Sequence, residues 1–349
     1  MNYLGPQYRN KPFGRVDQTT GLFLLSLFYA LFMVLFPWEE VKKVGIFDDF
    51  LVYAENLDAR ILDPRSIIER YSISNLIQYF TFEVLWDFIL VSLMSLTDNN
   101  SELSLRLISF FVFFIWGLIA FKVLPFWWGL IFLINPVSVD IAMSAIRNGL
   151  AYGLFIFSIV YLRGPLKHVT FFLTPFIHSS AIVLLVLYYG LKVWYQNKVF
   201  KNKKIIFSEK IGSLLASTFP GLIAGLLIAF VSEYFLGAIG DRRALLAARS
   251  YDPSIFQASF WYLLLATQLT CSSKYLRENS FQMNLISWYL AMNLTISWSS
   301  RVWAATIPFI AISIWNLPKG KRDFILLSWL FYLVTWYLYW SNLFGWWNQ

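Results

Sequence analysis

The sequence is poor in the residue types on which soluble enzymes and metal centres depend. It has one cysteine, Cys271, which excludes an intramolecular disulfide and an ordinary thiolate metal site. Its two histidines, His168 and His178, are too few for a histidine-rich metal centre. Only 14% of the 349 residues are charged, whereas a soluble globular protein carries about 25%. So few charges cannot cover a water-exposed surface, and both a soluble enzyme and a disordered protein are excluded.

The short motifs of several enzyme and transporter classes are also missing. There is no Walker A motif, which excludes ATP-driven transport by this chain alone, and there is no HExxH motif or dinucleotide fingerprint. No DxD pair is available to hold a metal and a nucleotide sugar, since Asp48 and Asp49 are merely adjacent. We therefore expect no metal and no cofactor. A lipid-linked sugar donor fits these absences better than a nucleotide sugar.

Apolar and aromatic residues are abundant instead. Hydrophobic residues make up 58% of the chain, Trp, Tyr and Phe together make up 20%, and the mean hydropathy is +0.58. This composition is typical of an integral membrane protein, in which most tryptophans belong to interfacial belts. The net charge of +8 indicates loop charges that set the topology and an affinity for anionic lipid or anionic substrate. We expect no nucleic-acid partner.

Eleven apolar segments are long enough to serve as membrane spans, and no repeat or linker divides them. They lie near residues 19–37, 75–96, 106–121, 123–143, 147–162, 169–191, 211–231, 256–272, 281–299, 302–316 and 323–343. The first lacks a small-x-small cleavage site and follows a basic stretch, which predicts an uncleaved signal anchor. We predict one all-α domain over 1–349, a polytopic membrane helical bundle in which prolines make some segments re-entrant.

The basic loops indicate an orientation for these spans. Loops 192–210, 273–280 and 317–323 all lie on the cytoplasmic side if the N-terminus is cytoplasmic and eleven spans alternate. The two long loops, 38–74 and 233–255, then lie outside. Each is long enough to hold a short interfacial helix.

Charged residues inside apolar segments are functional candidates, because insertion of an ionisable side chain is unfavourable. Glu83 and Asp87 are four residues apart in the segment 75–96, which predicts that they share one helical face. In one interpretation they form a packing salt bridge to an arginine. In the other, one carboxylate binds sugar hydroxyls or acts as a general base.

Arg147 and His178 are the other two candidates at membrane depth. Arg147 follows the helix break at Asn135-Pro136 and precedes Gly149. It is either an anion site, since a guanidinium binds phosphate bidentately, or an interfacial arginine that snorkels. His178, three residues after Pro175, is either a hydrogen-bonded interior histidine or a base that takes a proton from a hydroxyl.

Three further arginines lie near predicted membrane boundaries. Arg301 follows a short polar run, and it either snorkels or supplies a second cation for a pyrophosphate. Arg242 and Arg243 lie in the loop 233–255. They are either solvated loop charges or guides for an anionic substrate at the outer face.

The stretch 146–185 resembles the EpsG/Wzy-type polysaccharide polymerases. That family's Ile-Arg-(Gln/Asn)-x-x-Ala element is matched by residues 146–151, and its Phe-(small)-His-x-Ser-Ala-like element by residues 176–181. Weaker similarities extend over most of the chain. Residues 49–53, from Asp49 to Tyr53, resemble the family's Asp-(aromatic)-x-x-Tyr element, and Glu83 resembles its acidic element that opens a span. Arg301 with Phe309 resembles a late arginine-containing span.

The resemblance implies a bacterial polysaccharide polymerase with a GT-C-like helical architecture. Such a protein is a multi-pass protein of the bacterial cytoplasmic (inner) membrane, and its chemistry takes place on the outer face. Its substrates are polyprenyl-diphosphate-linked oligosaccharide repeat units for O-antigen, capsule or exopolysaccharide. Membrane lipid, a chain-length regulator and a flippase are the partners expected with it. The resemblance implies that Arg147 lies near the outer face. A model of eleven alternating spans instead predicts that Arg147 lies on the cytoplasmic side and that Lys167 lies outside.

Site roles follow from the resemblance together with the chemistry of the residues. Arg147 and Arg301 are expected to bind the pyrophosphate of the donor. Its departure as a leaving group needs no metal ion if arginines neutralise the charge that develops on it. His178 or Glu83 is expected to deprotonate or orient the acceptor. The other expected substrate-binding residues are Arg242, Arg243, Asp49, Tyr53 and Asp87.

Three alternatives to a polymerase stay open at the level of sequence. An O-antigen ligase-like enzyme would show a larger outer loop than 233–255. An O-acyltransferase would favour a histidine early in the chain, and here the first is His168. A flippase or transporter for lipid-linked sugars would show an inverted repeat, and none is found.

Overall fold

The protein is described by a computed structural model that covers residues 15–42, 50, 53–55, 83–196, 209–238, 255–293 and 304–342. These residues form helices and turns and contain no strand, which confirms the all-α class. Most of the loops 38–74 and 233–255 lies outside the described residues. The same holds for four candidate site residues: Asp49, Arg242, Arg243 and Arg301.

The helices group into two compact units. The first unit comprises Phe13–Ile182 and the chain from Leu333 onward. It contains α1 (Arg15–Leu35), α2 (Trp38–Val41), α3 (Val84–Leu96), α4 (Ser101–Val123), α5 (Phe126–Leu133), α6 (Pro136–Met143), α7 (Ile146–Tyr161), α8 (Gly164–Ile177) and the 3₁₀ turn Ser179–Ala181. A single domain over 1–349 stays a prediction.

The second unit spans Val183–Tyr332. It contains α9 (Ile182–Gln196), α10 (Glu209–Ala238), α11 (Ile255–Leu269), α12 (Ser273–Glu278), α13 (Ser280–Asn293), α14 (Ile307–Trp315) and the first part of α15 (Lys319–Trp340). Helix α13 forms its centre, since every residue of α13 is buried.

Three described helices are long and apolar enough to cross a membrane: α4, the part of α10 over Glu209–Ile228, and α15. The pair α5 and α6 passes the same test together but is bent by 61°. The remaining apolar helices of 10–17 residues are shorter than a full span. Large apolar side chains such as Phe28 and Phe331 are more than two-thirds exposed. Each unit is therefore a group of packed apolar helices, and the count of eleven spans stays a prediction.

Small residues fix the directions of α1 and α4 in the first unit. A Cβ on Gly117 of α4 would lie 3.1 Å from the ring of Tyr29 and 3.2 Å from Ser26 of α1. Further toward the start of α4, Arg106 Nη1 donates a hydrogen bond to the carbonyl of Val34 at 3.4 Å. The residue numbers rise along one helix as they fall along the other, so α1 and α4 are antiparallel.

Helices α4 and α7 are parallel. A Cβ on Gly149 would meet Val112 at 3.0 Å, and Lys122 Nζ donates to the carbonyl of Val160 at 3.1 Å. The chain must therefore return along the bundle between them, and α5 and α6 make this return. Asn135 Oδ1 caps the start of α6 by accepting from the amide of Val137 at 3.0 Å, so the break predicted at Asn135-Pro136 is confirmed.

Close helix packing holds the second unit together. A Cβ on Gly221 of α10 would overlap the backbone of Asn284 of α13, and one on Gly225 would lie 2.6 Å from the Cβ of Ala291. Asn284 Oδ1 accepts from the amide of Gly221 at 2.7 Å, and its Nδ2 donates to the carbonyl of Ala216 at 2.9 Å. This Gly-x-x-x-Gly spacing lets the two backbones approach as small-residue motifs do in membrane helix pairs.

We expect Gly221→Ala to destabilise the protein, because the added methyl group forces α10 away from α13 and strains the Asn284 hydrogen bonds. Overpacking of this kind costs about 1–3 kcal/mol. Thermal unfolding of the detergent-purified protein measures the effect. Gly212→Ala is the control, since it lies in the same helix with nothing within 4 Å of the added Cβ. Equal melting temperatures for the two variants would contradict the packing argument.

Candidate functional site

Four residues singled out in the sequence come together in the first unit. They are Tyr53, Glu83, Arg147 and His178. We call this group the Glu83 cluster. Its members reach it from helix ends: Glu83 precedes α3, Arg147 lies in the first turn of α7, and His178 directly follows α8.

Glu83 is the centre of the cluster. Its Oε2 accepts a short hydrogen bond from Arg147 Nη1, and its Oε1 forms another with His178 Nδ1. The backbone amide of Ser179 also donates to Oε1, at 3.1 Å. The carboxylate side chain is only 4% exposed. A buried carboxylate is stable only when it is paired and hydrogen-bonded, and here both of its oxygens are.

The backbone at Glu83 is adapted to this role. Its φ of 55° and ψ of 53° lie in the left-handed region, and its side chain does not cap α3. A non-glycine residue in this region costs on the order of 1 kcal/mol or more, and such a conformation persists when the surroundings determine it. The carboxylate is therefore directed to Arg147 and His178 rather than to the helix that it precedes.

Arg147 is held on two sides and open on another. Its Nε donates to the hydroxyl of Tyr53 at 3.1 Å, and its guanidinium carbon lies 5.1 Å from the centre of the Tyr53 ring. The Tyr53 ring in turn lies 6.2 Å from the ring of Trp86. The arginine side chain keeps 27% of its surface exposed, and its Nη2 has no hydrogen-bond partner among the described residues. A fixed guanidinium with an accessible edge is suited to bind an anion.

His178 is placed by the end of α8. Pro175 supplies no amide donor, and the hydroxyl of Thr174 donates to the carbonyl of Phe171 at 2.8 Å. The helix ends two residues after the proline, and His178 takes an extended conformation with φ −150°. The turn that follows is fixed by Tyr152, whose hydroxyl donates to Ser180 Oγ at 3.0 Å.

The imidazole of His178 is oriented by its contact with Glu83. Nδ1 faces the carboxylate, which favours the tautomer with the proton on Nδ1 and leaves Nε2 as a proton acceptor. In the described part of the chain, Nε2 has no hydrogen-bond partner. A carboxylate and an imidazole in this relation form the pair that activates hydroxyl groups in hydrolases. The arrangement can take a proton from a hydroxyl.

The interpretation of Glu83 as the partner of an arginine matches the observed geometry. Because its two oxygens are already engaged by Arg147 and His178, the carboxylate is less suited than His178 to act as the base. The expectation that Glu83 lies within a helix was wrong, since α3 begins one residue later. Asp87 lies one turn into α3 and is buried, and its amide donates to the carbonyl of Glu83 at 3.3 Å.

Sequence reasoning missed two groups that support the cluster. The backbone amide of Ser179 carries no sequence signal, because any residue type can supply it. Tyr152 is one of many aromatic residues in the apolar segments, and no sequence pattern predicts its contact with Ser180. No group of three or more His, Cys, Asp or Glu side chains that could hold a metal occurs within the described ranges.

Comparison of the chain with protein-family models, with curated proteins and with solved structures gave no match.

We expect Glu83 and Arg147 to be energetically coupled, because each neutralises a charge that is largely buried. A double-mutant cycle with Glu83→Gln and Arg147→Gln should give a coupling energy of about 1–3 kcal/mol in unfolding measurements. The control cycle uses Glu102 and Arg106, a more exposed pair one helical turn apart with an Oε1 to Nε distance of 2.9 Å. Such a pair contributes about 0.3–0.5 kcal/mol. A coupling no larger than the control would show that the ion pair is not structural.

Proposed function

We propose that this chain is a bacterial polysaccharide polymerase of the cytoplasmic membrane, which joins oligosaccharide repeat units carried on polyprenyl diphosphate at the outer face. The observation that carries the proposal is the Glu83 cluster, which combines an accessible guanidinium with an oriented imidazole. The reaction needs a cation for a leaving diphosphate and a base for an attacking hydroxyl. The resemblance of residues 146–185 to polysaccharide polymerases supports the same function.

In the proposed reaction, an acceptor hydroxyl oxygen attacks the anomeric carbon of the donor sugar. The bond from that carbon to the diphosphate oxygen breaks, and polyprenyl diphosphate leaves with the bonding electrons. Arg147 stabilises the charge that develops on the diphosphate, which is larger in the transition state than in the bound donor. His178 Nε2 takes the hydroxyl proton, and Glu83 stabilises the resulting imidazolium through Nδ1.

The remaining candidates extend this scheme as predictions. Arg301 supplies a second cation for the pyrophosphate, and Arg242 and Arg243 attract the anionic substrate. Asp49 and Asp87 bind sugar hydroxyls. A chain-length regulator and a flippase are the expected protein partners. The regulator would control the length of the polymer.

The charges at the two ends of α7 support an outward-facing site. Lys122, Arg163 and Lys167 lie at the C-terminal end of α7, which the positive-inside rule assigns to the cytoplasm. Arg147 lies at the N-terminal end and therefore toward the outer face. Helix α1 begins at the same end as Lys122, because it is antiparallel to α4, and this agrees with a cytoplasmic N-terminus.

This orientation differs from the one that alternating spans give, and we infer that α3 does not cross the membrane. Helix α1 ends and α4 begins at the same end of the bundle, where Arg106 contacts Val34. Helix α3 has 13 residues, which gives about 20 Å of helix, less than the ~30 Å of hydrocarbon. The bent pair α5 and α6 then crosses once as a broken span.

Deletion of the gene in its native host, followed by electrophoresis of the surface glycan, tests the proposal. We expect the ladder of chain lengths to collapse to a single repeat unit on its anchor, because units are still made and transferred but no longer joined. Complete loss of glycan from the anchor would indicate a ligase or a flippase. An unchanged ladder that lacks an acyl group would indicate an acyltransferase.

We expect Arg147→Ala to abolish polymer when samples are compared at equal protein level, and Arg147→Lys to recover only part of it, because an ammonium group lacks the bidentate fork. His178→Ala should reduce polymer by a factor on the order of 10²–10⁴ if it removes the general base. The glycan ladder and a membrane immunoblot measure both effects. Arg106→Ala is the matched control and should retain the ladder. Full activity of Arg147→Ala would refute the assignment.

A further inference from the structure

We propose a second site at the opposite end of α7 from Arg147, which binds the phosphate headgroup and one acyl chain of an anionic phospholipid. Its headgroup part consists of Lys122 and Arg163, and its acyl part is a groove along α8. The proposal requires only that the chain lies in a bilayer. It is independent of glycosyl transfer.

Lys122 is held in place by the end of α7. Its Nζ donates to the carbonyl of Val160 at 3.1 Å and lies 3.8 Å from the centre of the Tyr161 ring. The Tyr161 hydroxyl donates to the carbonyl of Leu118 at 2.7 Å, which fixes the ring. The ammonium group is therefore positioned before any ligand arrives.

Arg163 brings a second positive charge close to the first. It follows two residues after Tyr161, whose ring lies against the Lys122 ammonium group, and three residues after Val160, whose carbonyl accepts from it. Gly164 follows with φ +61°, a left-handed conformation that sets the turn into α8 at low steric cost. Arg163 is exposed, and no described residue pairs with it. Two positive charges at the same end of α7 repel each other, and a phosphate bound between them offsets this repulsion.

An apolar groove begins beside these charges. Its described lining is one apolar face of α8 from Gly164 to Phe176, including Val169 and Phe172, and the shallow, open space over this face has a volume of about 750 Å³. The 13 residues from Gly164 to Phe176 correspond to about 20 Å of helix, which suits one extended acyl chain. Val169 and Phe172 are both more than half exposed. A phosphate site that opens into a hydrocarbon groove matches a phospholipid rather than a free anion.

The lipid preference can be measured with the full-length protein in detergent micelles, by titration of phosphatidylglycerol or phosphatidylcholine with native mass spectrometry as readout. We expect phosphatidylglycerol to bind more tightly. Arg163→Gln should weaken its binding about fivefold, as expected for one basic residue near anionic headgroups. Arg277→Gln is the control, an exposed arginine paired with Glu209 at 2.8 Å in the second unit. It should leave binding unchanged.

Two further measurements distinguish the contribution of the headgroup to binding from that of the acyl chain. Val169→Trp should weaken phosphatidylglycerol binding by filling the groove, without changing the charge. Inorganic phosphate at millimolar concentration should compete weakly. Equal binding of the two lipids, or unchanged binding by Arg163→Gln, would overturn the proposal. Full competition by inorganic phosphate, together with no effect of Val169→Trp, would show a free-anion site instead and would also overturn it.

Discussion

The buried carboxylate of Glu83 is the constraint on which the first unit depends. At 4% exposure it requires compensation, and Arg147, His178 and the amide of Ser179 supply it. These groups reach one point because α3 and α7 begin there and α8 ends there. A continuous helix through any of these positions would direct the side chain elsewhere. The helix interruptions and the charge cluster are therefore one feature, since the broken backbone surrounds a polar site.

The members of this cluster were predictable from the sequence, but their pairing was not. Ionisable residues in apolar segments are few and costly, so Glu83, Arg147 and His178 stood out without any alignment. Glu83 is separated from Arg147 by 64 residues and from His178 by 95, and spacing carries no information over such distances. Helical periodicity also misplaced Glu83, because an apolar run does not reveal a left-handed residue at its φ of 55°.

Hydropathy was equally limited in predicting how the helices run. It located the apolar segments, whereas the break at Asn135-Pro136 was marked by the proline, which cannot continue the preceding helix. It did not reveal that α4 and α7 are parallel, because a window of apolar residues has length but no direction. Nor did it separate α3, with 13 residues, from a full span. Contacts of small residues with their neighbours, such as Gly149 with Val112, carry that information and exist only in three dimensions.

Helix α7 links two arginines in different environments. Arg147 at its start is paired and positioned, whereas Arg163 beyond its end is exposed. The helix has 16 residues, which gives about 24 Å between its ends, compared with ~30 Å of hydrocarbon. If the Arg163 end lies at the headgroups of one leaflet, Arg147 lies several ångströms below the opposite surface. In the proposed function, the diphosphate would then meet Arg147 below that surface, where a lower dielectric constant strengthens its attraction to the guanidinium. Burial and charge act together, because the low exposure that requires Glu83 to be paired also strengthens the attraction of an anion to the exposed edge of Arg147.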